Sequence, residues 1–349
     1  MKQYKVGILG ATGTVGQRFI QLLEGHPWFR VTEVAGSERS SGLTYGEATA
    51  ERWKLPGGVP EYAADLIVRD AKTNLDCDIV FSAMDNTIAG PIEEEFAKAG
   101  YAVCSNARNH RMEPDVPLVI PEVNPGHLGI IEHQRKERGW DGLIATNPNC
   151  STIGLVMALA PIQPYGLKKV FVTTMQALSG AGYPGVPSLD SLDNVVPFIG
   201  GEEEKIESES VKILGTMAEG KFGNAKIAIS AQCNRVGVND GHLETLNIEV
   251  EKKAGLDEIR QALSGFNPLR ELKLPSAPNP PIIVRDEENR PQPKLDRDMG
   301  RGMAVSVGRI RKCNILDYRM AILSHNTIRG AAGASILNAE LICSKGLLK

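Results

Sequence analysis

Lys5-Val6-Gly7-Ile8-Leu9-Gly10-Ala11-Thr12-Gly13-Thr14-Val15-Gly16 is the stretch that decides the fold. An apolar run of strand character feeds a glycine-rich turn, and residues 15–24 then read as a helix. The spacing is G-x-x-G-x-x-G, not the commoner G-x-G-x-x-G. In such a strand–turn–helix unit one glycine makes the tight turn, one lets backbone approach a pyrophosphate, and one lets helix and strand pack closely. The helix N-terminus offers N–H groups and a positive dipole end to the phosphates. Between a first strand and a first helix, the pattern predicts a dinucleotide site at Gly10, Thr12, Gly13, Thr14 and Val15.

Outward from this unit, short strands alternate with helical stretches over the first ~150 residues. Strands are expected at 5–9, 30–35, 79–83, 101–105, 118–120 and 143–146, and a second helix at 92–99. Alternating β and α units imply a parallel sheet covered on both faces. Beyond residue 150 longer alternating strands appear, at 170–176, 226–233, 243–250 and 303–310. They predict a mixed or antiparallel sheet packed on helices by one face. The expected fold is α/β, a Rossmann-like parallel-sheet domain joined to an α+β catalytic and dimerisation domain with a mixed sheet. The expected boundaries are 1–149, with a C-terminal helical segment from about 326 to 349 returning to it, and 150–325. Residues 274–293, rich in proline, read as loop, and 327–342 as a helix.

Two domains also follow from length, since 349 residues exceed one ordinary core. A net charge of −3 gives no electrostatic case for nucleic acid or an anionic membrane. No apolar stretch approaches the roughly 20 residues of a membrane span. The N-terminus runs directly into a strand, which reads as a chain without a signal peptide. Six cysteines lie far apart with no C-x-x-C pair, so neither a zinc framework nor a redox dithiol is expected, and no metal. A reduced cytoplasm is the expected setting.

Asn147-Pro148-Asn149-Cys150 follows the strand at 143–146 and precedes a buried helical run from Ser151 to Leu159. Cys150 therefore opens a helix, where N–H groups and the dipole favour a thiolate. A thiol of reference pKa about 8.5 is expected to fall there, toward roughly 3.5–7.5. A nucleophilic cysteine needs a base and an oxyanion site. Asn239-Asp240-Gly241 is a turn signal between strands at 227–236 and 243–250, which puts Arg235 and His242 near the same end of neighbouring strands. An imidazole beside a forked guanidinium suits acid–base chemistry on a substrate bearing a carboxylate. His26 and His133 fall in expected surface segments. After the second strand, Ser37-Glu38-Arg39-Ser40 presents an arginine among serines, a cradle for a 2′-phosphate; NADP is favoured, and Glu38 leaves NAD open.

The Gly10–Gly16 turn, Asn147-Pro148-Asn149-Cys150, Gln176-Ala177-Leu178-Ser179-Gly180-Ala181-Gly182, Glu202-Glu203-Glu204-Lys205, Asn234-Arg235-Val236 and Gly241-His242 occur in that order. Together with His325-Asn326-Thr327-Ile328-Arg329-Gly330, they resemble the aspartate-semialdehyde dehydrogenase family, in the branch typical of archaea, fungi and some bacteria. The resemblance implies reversible, NADP-dependent reductive dephosphorylation of 4-phospho-L-aspartate to L-aspartate 4-semialdehyde through a Cys150 thioester. That step serves biosynthesis of lysine, methionine, threonine and isoleucine. It further implies His242 as the proton acceptor and Asn149, with the Cys150 N–H, at the oxyanion. Arg235 would hold the α-carboxylate, Glu202 the α-ammonium, Gln176 the substrate, and Arg111 and Lys205 the inorganic phosphate, with Arg108 a rival for Arg111. Ser82, Ser179, Gly180 and Asn326 would join the cofactor contacts. A homodimer or homotetramer is implied. Two alternatives are malonyl-CoA reductase on the same scaffold, which uses no inorganic phosphate, and a non-catalytic NADP-binding regulator, which would not need Cys150, His242 and Arg235.

Overall fold

A computed structural model describes residues 3–349. The first sheet is built from β1 (Tyr4–Leu9), β2 (Phe29–Gly36), β3 (Val68–Asp70), β4 (Ile79–Ser82), β5 (Ala102–Ser105) and β6 (Leu143–Thr146). All pairings are parallel and the order is β3-β2-β1-β4-β5-β6. The strand order reverses between β1 and β4, and a parallel sheet of this kind binds ligands at the carboxyl ends of the strands on either side of that switch. Gly10 stands there with φ +74°, and a Cβ on it would lie 2.7 Å from the Ala83 carbonyl oxygen. Helix Thr14–Leu23 follows at once.

One face of this sheet buries Phe19, Phe29 and Phe81 against Ile336, Leu337, Leu341 and Ile342 of the C-terminal helix Gly333–Ser344. The other face packs Leu9, Val80, Val103 and Ile144 against Phe96 and Ala97 of helix Asn86–Lys98. That helix begins six residues before the expected 92, because Asp85 caps it by accepting from the Thr87 N–H. Residues 118–120 form no strand; Leu118 makes only an isolated bridge to Thr146.

The second sheet contains β7 (Leu167–Gln176), β10 (Ala228–Arg235), β11 (His242–Val250), β12 (Ile282–Val284), β13 (Val305–Lys312) and β14 (Tyr318–Ser324). A small hairpin of β8 (Thr216–Ala218) and β9 (Lys221–Gly223) stands apart. The large sheet is mixed, in the order β10-β7-β11-β14-β13-β12. Its core face holds Val172, Leu246, Ile248, Met320 and Ile322 against Ile153, Val156 and Met157 of helix Cys150–Leu159. That helix is apolar all round and wholly buried beyond its first residue, which is how a helix between two layers should read.

Two expectations need correction. β10 and β11 are not neighbours: β7 lies between them, parallel to β10 and antiparallel to β11. The turn at residues 239–241 therefore crosses the end of β7 and closes no hairpin. Within the proline-rich 274–293, Ile282–Val284 pairs with β13 and adds an edge strand.

Candidate active site

Three strands end at one place. Arg235 pairs with Gln176 in the β10–β7 register, and Leu243 pairs with Met175 between β11 and β7, which sets His242 beside Gln176. All three side chains are buried. Facing them is Cys150, first residue of its helix, with Sγ 3.2 Å from His242 Nε2.

The helix is held from its N-terminus. Asn149 is the N-cap, its Oδ1 accepting from the N–H groups of Ser151 and Thr152. One N–H of its Nδ2 donates to Glu202 Oε2 at 2.8 Å, which leaves the amide's second N–H. The Cys150 N–H has no backbone acceptor among the described residues.

Helix Glu202–Ile213 crosses the front of the site. Glu202, Lys205, Glu209 and Lys212 recur at the three- and four-residue intervals of one helical face. Glu202 takes Lys205 Nζ at 2.7 Å, Asn149 Nδ2 and Gln176 Nε2. Burial raises this carboxyl, but the Lys205 ammonium and the two amide donors outweigh burial and hold it below the usual carboxylate range. Glu209 and Lys212 were not anticipated. Glu209 is buried and bridges Arg111 Nη1 at 2.9 Å and the Asn149 N–H at 2.6 Å. Lys212 donates to the carbonyls of Arg111, Glu113 and Val116. The 3–4–3 spacing was the available signal; in a glutamate-rich run it reads first as a solvated face.

The loop Ala177–Gly182 closes over the strand ends. Arg235 Nη1 donates to the Ala177 carbonyl at 2.7 Å. A Cβ on Gly180 would sit 2.8 Å from Arg235 Nη1 and 3.3 Å from His242 Nε2, so a larger residue here would require the Arg235 guanidinium to shift. The Ala177 N–H donates to His242 Nδ1 at 3.0 Å, which puts the ring proton on Nε2 and makes the neutral imidazole a donor toward the sulfur. Asn326 ties the same loop down, donating to Ser179 Oγ and accepting from the Gly241 N–H.

Burial, then the Glu202 carboxylate, push the Cys150 thiol up to about 12, against a smaller downward pull from Arg111 and Arg235. Burial and the Arg235 charge push His242 down to about 3. The resting pair is a neutral thiol and a neutral imidazole. The expected drop in the thiol pKa is thus not found: desolvation of a charge outweighs the dipole of one helix end.

Cys150, Asn149, Thr14, Val15, Ser179, Gly180, Glu202 and Asn326 line a cavity of about 300 Å³, with Arg108, Arg111 and Lys205 at its wall. A second cavity, about 660 Å³, is lined by Gly10, Thr12, Gly13, Ser37, Glu38 and Arg39, with Lys72 paired to Asp70. The glycine turn lies between the two. Ser82 and Ser40 line neither: Ser82 is fully buried at the end of β4, and Ser40 is buried with Oγ donating to the Ser37 carbonyl. His26 is no surface residue. It is buried, stacked on Phe29 and 2.9 Å from Glu340.

Residues 5–131 match the family "Semialdehyde dehydrogenase, NAD binding domain", and residues 159–329 match "Semialdehyde dehydrogenase, dimerisation domain". The chain is 53% identical over 348 residues to the aspartate-semialdehyde dehydrogenase of Archaeoglobus fulgidus, covering 99% of this chain and 100% of the relative. It is 47% identical to that of Aspergillus fumigatus, with 99% and 98% covered. The crystal structure of the Candida albicans aspartate-semialdehyde dehydrogenase with NADP superposes with a TM-score of 0.91 at 44% identity, covering 99% of this chain and 100% of that one. On that breadth of likeness, this chain belongs to the aspartate-semialdehyde dehydrogenase family.

Proposed function

We propose that this chain is an NADP-dependent phosphorylating aldehyde dehydrogenase. It interconverts L-aspartate 4-semialdehyde plus phosphate with 4-phospho-L-aspartate through a thioester on Cys150, a step in making the aspartate-derived amino acids. The observation that carries the reading is the 3.2 Å contact of Cys150 Sγ with the buried His242 Nε2 at a helix N-terminus, where Cys150 borders a cavity bearing both signs of charge.

The cofactor's residues fit. Gly10 and Gly13 leave room at the strand switch, and Arg39, with no ion pair among the described residues, stands beside Ser37 where a 2′-phosphate would need a cation. Thr14, Val15, Ser179, Gly180 and Asn326 would meet the end of the dinucleotide nearest Cys150. Bound NADP takes up or returns the hydride. The rest falls to the chain. Cys150 sulfur forms a bond to the aldehyde carbon, the C=O π bond breaks, and the thiol proton passes to the former carbonyl oxygen, giving a hemithioacetal whose oxygen gives up that proton as the hydride leaves. The oxygen turns toward the Cys150 N–H and the His242 Nε2–H, two donors aimed at developing charge. While the Ala177 N–H occupies Nδ1, His242 serves as donor, and it accepts a proton on Nε2 only if that contact opens. Phosphate oxygen then attacks the thioester carbon, the C–S bond breaks, and the sulfur leaves as thiolate. Arg235 suits the α-carboxylate, Glu202 with Gln176 the α-ammonium, and the cations Arg108, Arg111 and Lys205 the phosphate.

In the division of labour we infer, residues 1–149 with 326–349 carry the cofactor and 150–325 the chemistry. The chain works as a homodimer, supported by the match to a dimerisation domain and by the exposed Phe171, Leu189, Leu192, Val195 and Phe198 of that region. No helix among the described residues is long and apolar enough to cross a membrane, and we infer a cytoplasmic enzyme.

The test is reduction of NADP⁺ with L-aspartate 4-semialdehyde, with and without phosphate. Turnover that requires phosphate or arsenate is expected. Phosphate-independent turnover, or none, overturns the assignment.

A further inference from the structure

Beneath the Cys150–His242 pair lies a carboxyl that no step of the proposed reaction uses. Glu244 follows His242 by two residues on β11, so both side chains point to one face of the sheet. On that face Glu244 stands opposite Thr174 of β7 and Ile322 of β14, while His242 stands opposite Ser324. Glu244 is fully buried, and neither of its carboxyl oxygens has a hydrogen-bond partner among the described residues. Ser324 Oγ, also buried, has none either.

The helix above repeats this spacing. Gly154 follows Cys150 by one turn on the same helix face. A Cβ on Gly154 would lie 2.8 Å from Ser324 Oγ and 3.5 Å from Glu244 Oε1. A helix advances about 6 Å in four residues and a strand about 7 Å in two, so helix and strand stay in step: Cys150 meets His242, and Gly154 meets Glu244. Glu244 and the bare backbone of Gly154 thus set how closely the helix approaches β11, one step below the 3.2 Å contact of sulfur with imidazole.

An ionised carboxylate at this place would lack a counterion. β7 and β14 present Thr174, Ile322 and Ser324 to it, none of them titratable. Cys150 and Cys233 are thiols that its charge would push up, and His242 is neutral. Arg235, across β7 on β10, is turned to the Ala177 carbonyl, and Glu202 is paired with Lys205. A carboxylate isolated in the interior takes up a proton rather than keep its charge, and burial raises Glu244 well above the usual carboxylate range. Negative charge on Glu244 would oppose negative charge on the sulfur, so the thiolate that leaves the thioester needs this carboxyl neutral.

We propose that Glu244 is a positioning residue for Cys150: an uncharged carboxylic acid that spaces the nucleophile's helix from β11 and leaves the charge of the departing thiolate unopposed. This rests on the Cys150 thioester reading above and adds the group behind it. A glutamine has the same shape and no charge, and can replace it; an alanine leaves the layer beneath the pair hollow.

The test compares Glu244→Gln and Glu244→Ala with wild type. Displacing a nucleophile by up to an ångström predicts a kcat lowered about 10- to 100-fold in Glu244→Ala. KM for NADP should stay near wild type, and Glu244→Gln should recover most of the loss. Two measurements need no turnover. Alkylation of Cys150 in Glu244→Gln should follow the wild-type pH dependence, because no charge has been removed. The infrared difference spectrum of wild type against Glu244→Gln at neutral pH should show the C=O band of a protonated carboxyl. A Glu244→Ala enzyme with wild-type kcat, or a Glu244→Gln enzyme as impaired as Glu244→Ala, overturns the proposal. So does Cys150 alkylation that shifts to lower pH in Glu244→Gln, or a difference spectrum with carboxylate bands. If Glu244→Ala does not fold, the alkylation profile and the infrared spectrum of Glu244→Gln decide. Should wild type show no turnover of the semialdehyde, the functional reading falls. The role of Glu244 is then read from the infrared band and from the rate of Cys150 alkylation, changed in Glu244→Ala and unchanged in Glu244→Gln; any other pattern overturns it.

Discussion

Cys150 and His242 face one another as neutral groups, and their reactivity follows from that. The thiolate fraction of a thiol rises about tenfold per pH unit until its pKa is reached. With the Cys150 thiol at about 12, its alkylation by iodoacetamide in the free protein should climb steadily from pH 6 to 10. A plateau near pH 7 would show a depressed thiol instead. Among the six cysteines, Cys313 is the one drawn down: burial raises it, but the backbone N–H groups of Leu316, Ile315 and Asn314 together with the Arg319 charge outweigh that. At pH 7 it should be labelled before Cys150, which mass spectrometry of partially alkylated protein would read. Cys150→Ala should abolish turnover and leave NADP affinity intact; loss of NADP binding would make the residue structural. The sequence placed Cys150 at a helix start without revealing its protonation, because burial and the Glu202 charge come from residues far along the chain.

At the scale of the element, helix Glu202–Ile213 is the strut between the Cys150 helix and the loop of residues 106–116. Glu209 and Lys212 carry that connection. Removing one partner of a buried ion pair leaves the other charge uncompensated, at a typical cost of about 3–5 kcal/mol. Glu209→Ala should therefore lower unfolding free energy by roughly that amount, and kcat should fall with NADP affinity preserved. Denaturant melts and cofactor titration on the same sample separate the two effects. Most elements were legible locally. The glycine turn and the alternation of β and α units led to the parallel sheet, and period-two strands led to the mixed one. Strand order was less so. A turn signal at residues 239–241 says that the chain reverses, not that β7, which ends far earlier at Gln176, separates the two strands it joins. Non-local pairing is decided by packing of whole faces, which no short window contains.

Across the whole molecule, the last stretch of chain returns to the first. Arg329 makes a fully buried bidentate pair with Glu122, both contacts at 2.7 Å. It fixes the single π-turn Ile328–Ala332, which places Gly330 against Cys150. Arg329→Met should destabilise the protein by about 3–5 kcal/mol, and pairing it with Glu122→Leu should restore most of that, since a buried pair replaced whole by apolar groups costs little. Chemical denaturation at fixed protein concentration would measure both. The same return has a bearing on how the molecule is made. Residues 326–344 supply Asn326, Gly330 and the helix that seals one side of the parallel sheet. Since synthesis runs from the N-terminus, a ribosome-bound chain that has released everything else still has an open sheet and an unfinished pocket. The cavity beside Cys150 is therefore completed only once residues 326–344 have folded back onto the parallel sheet.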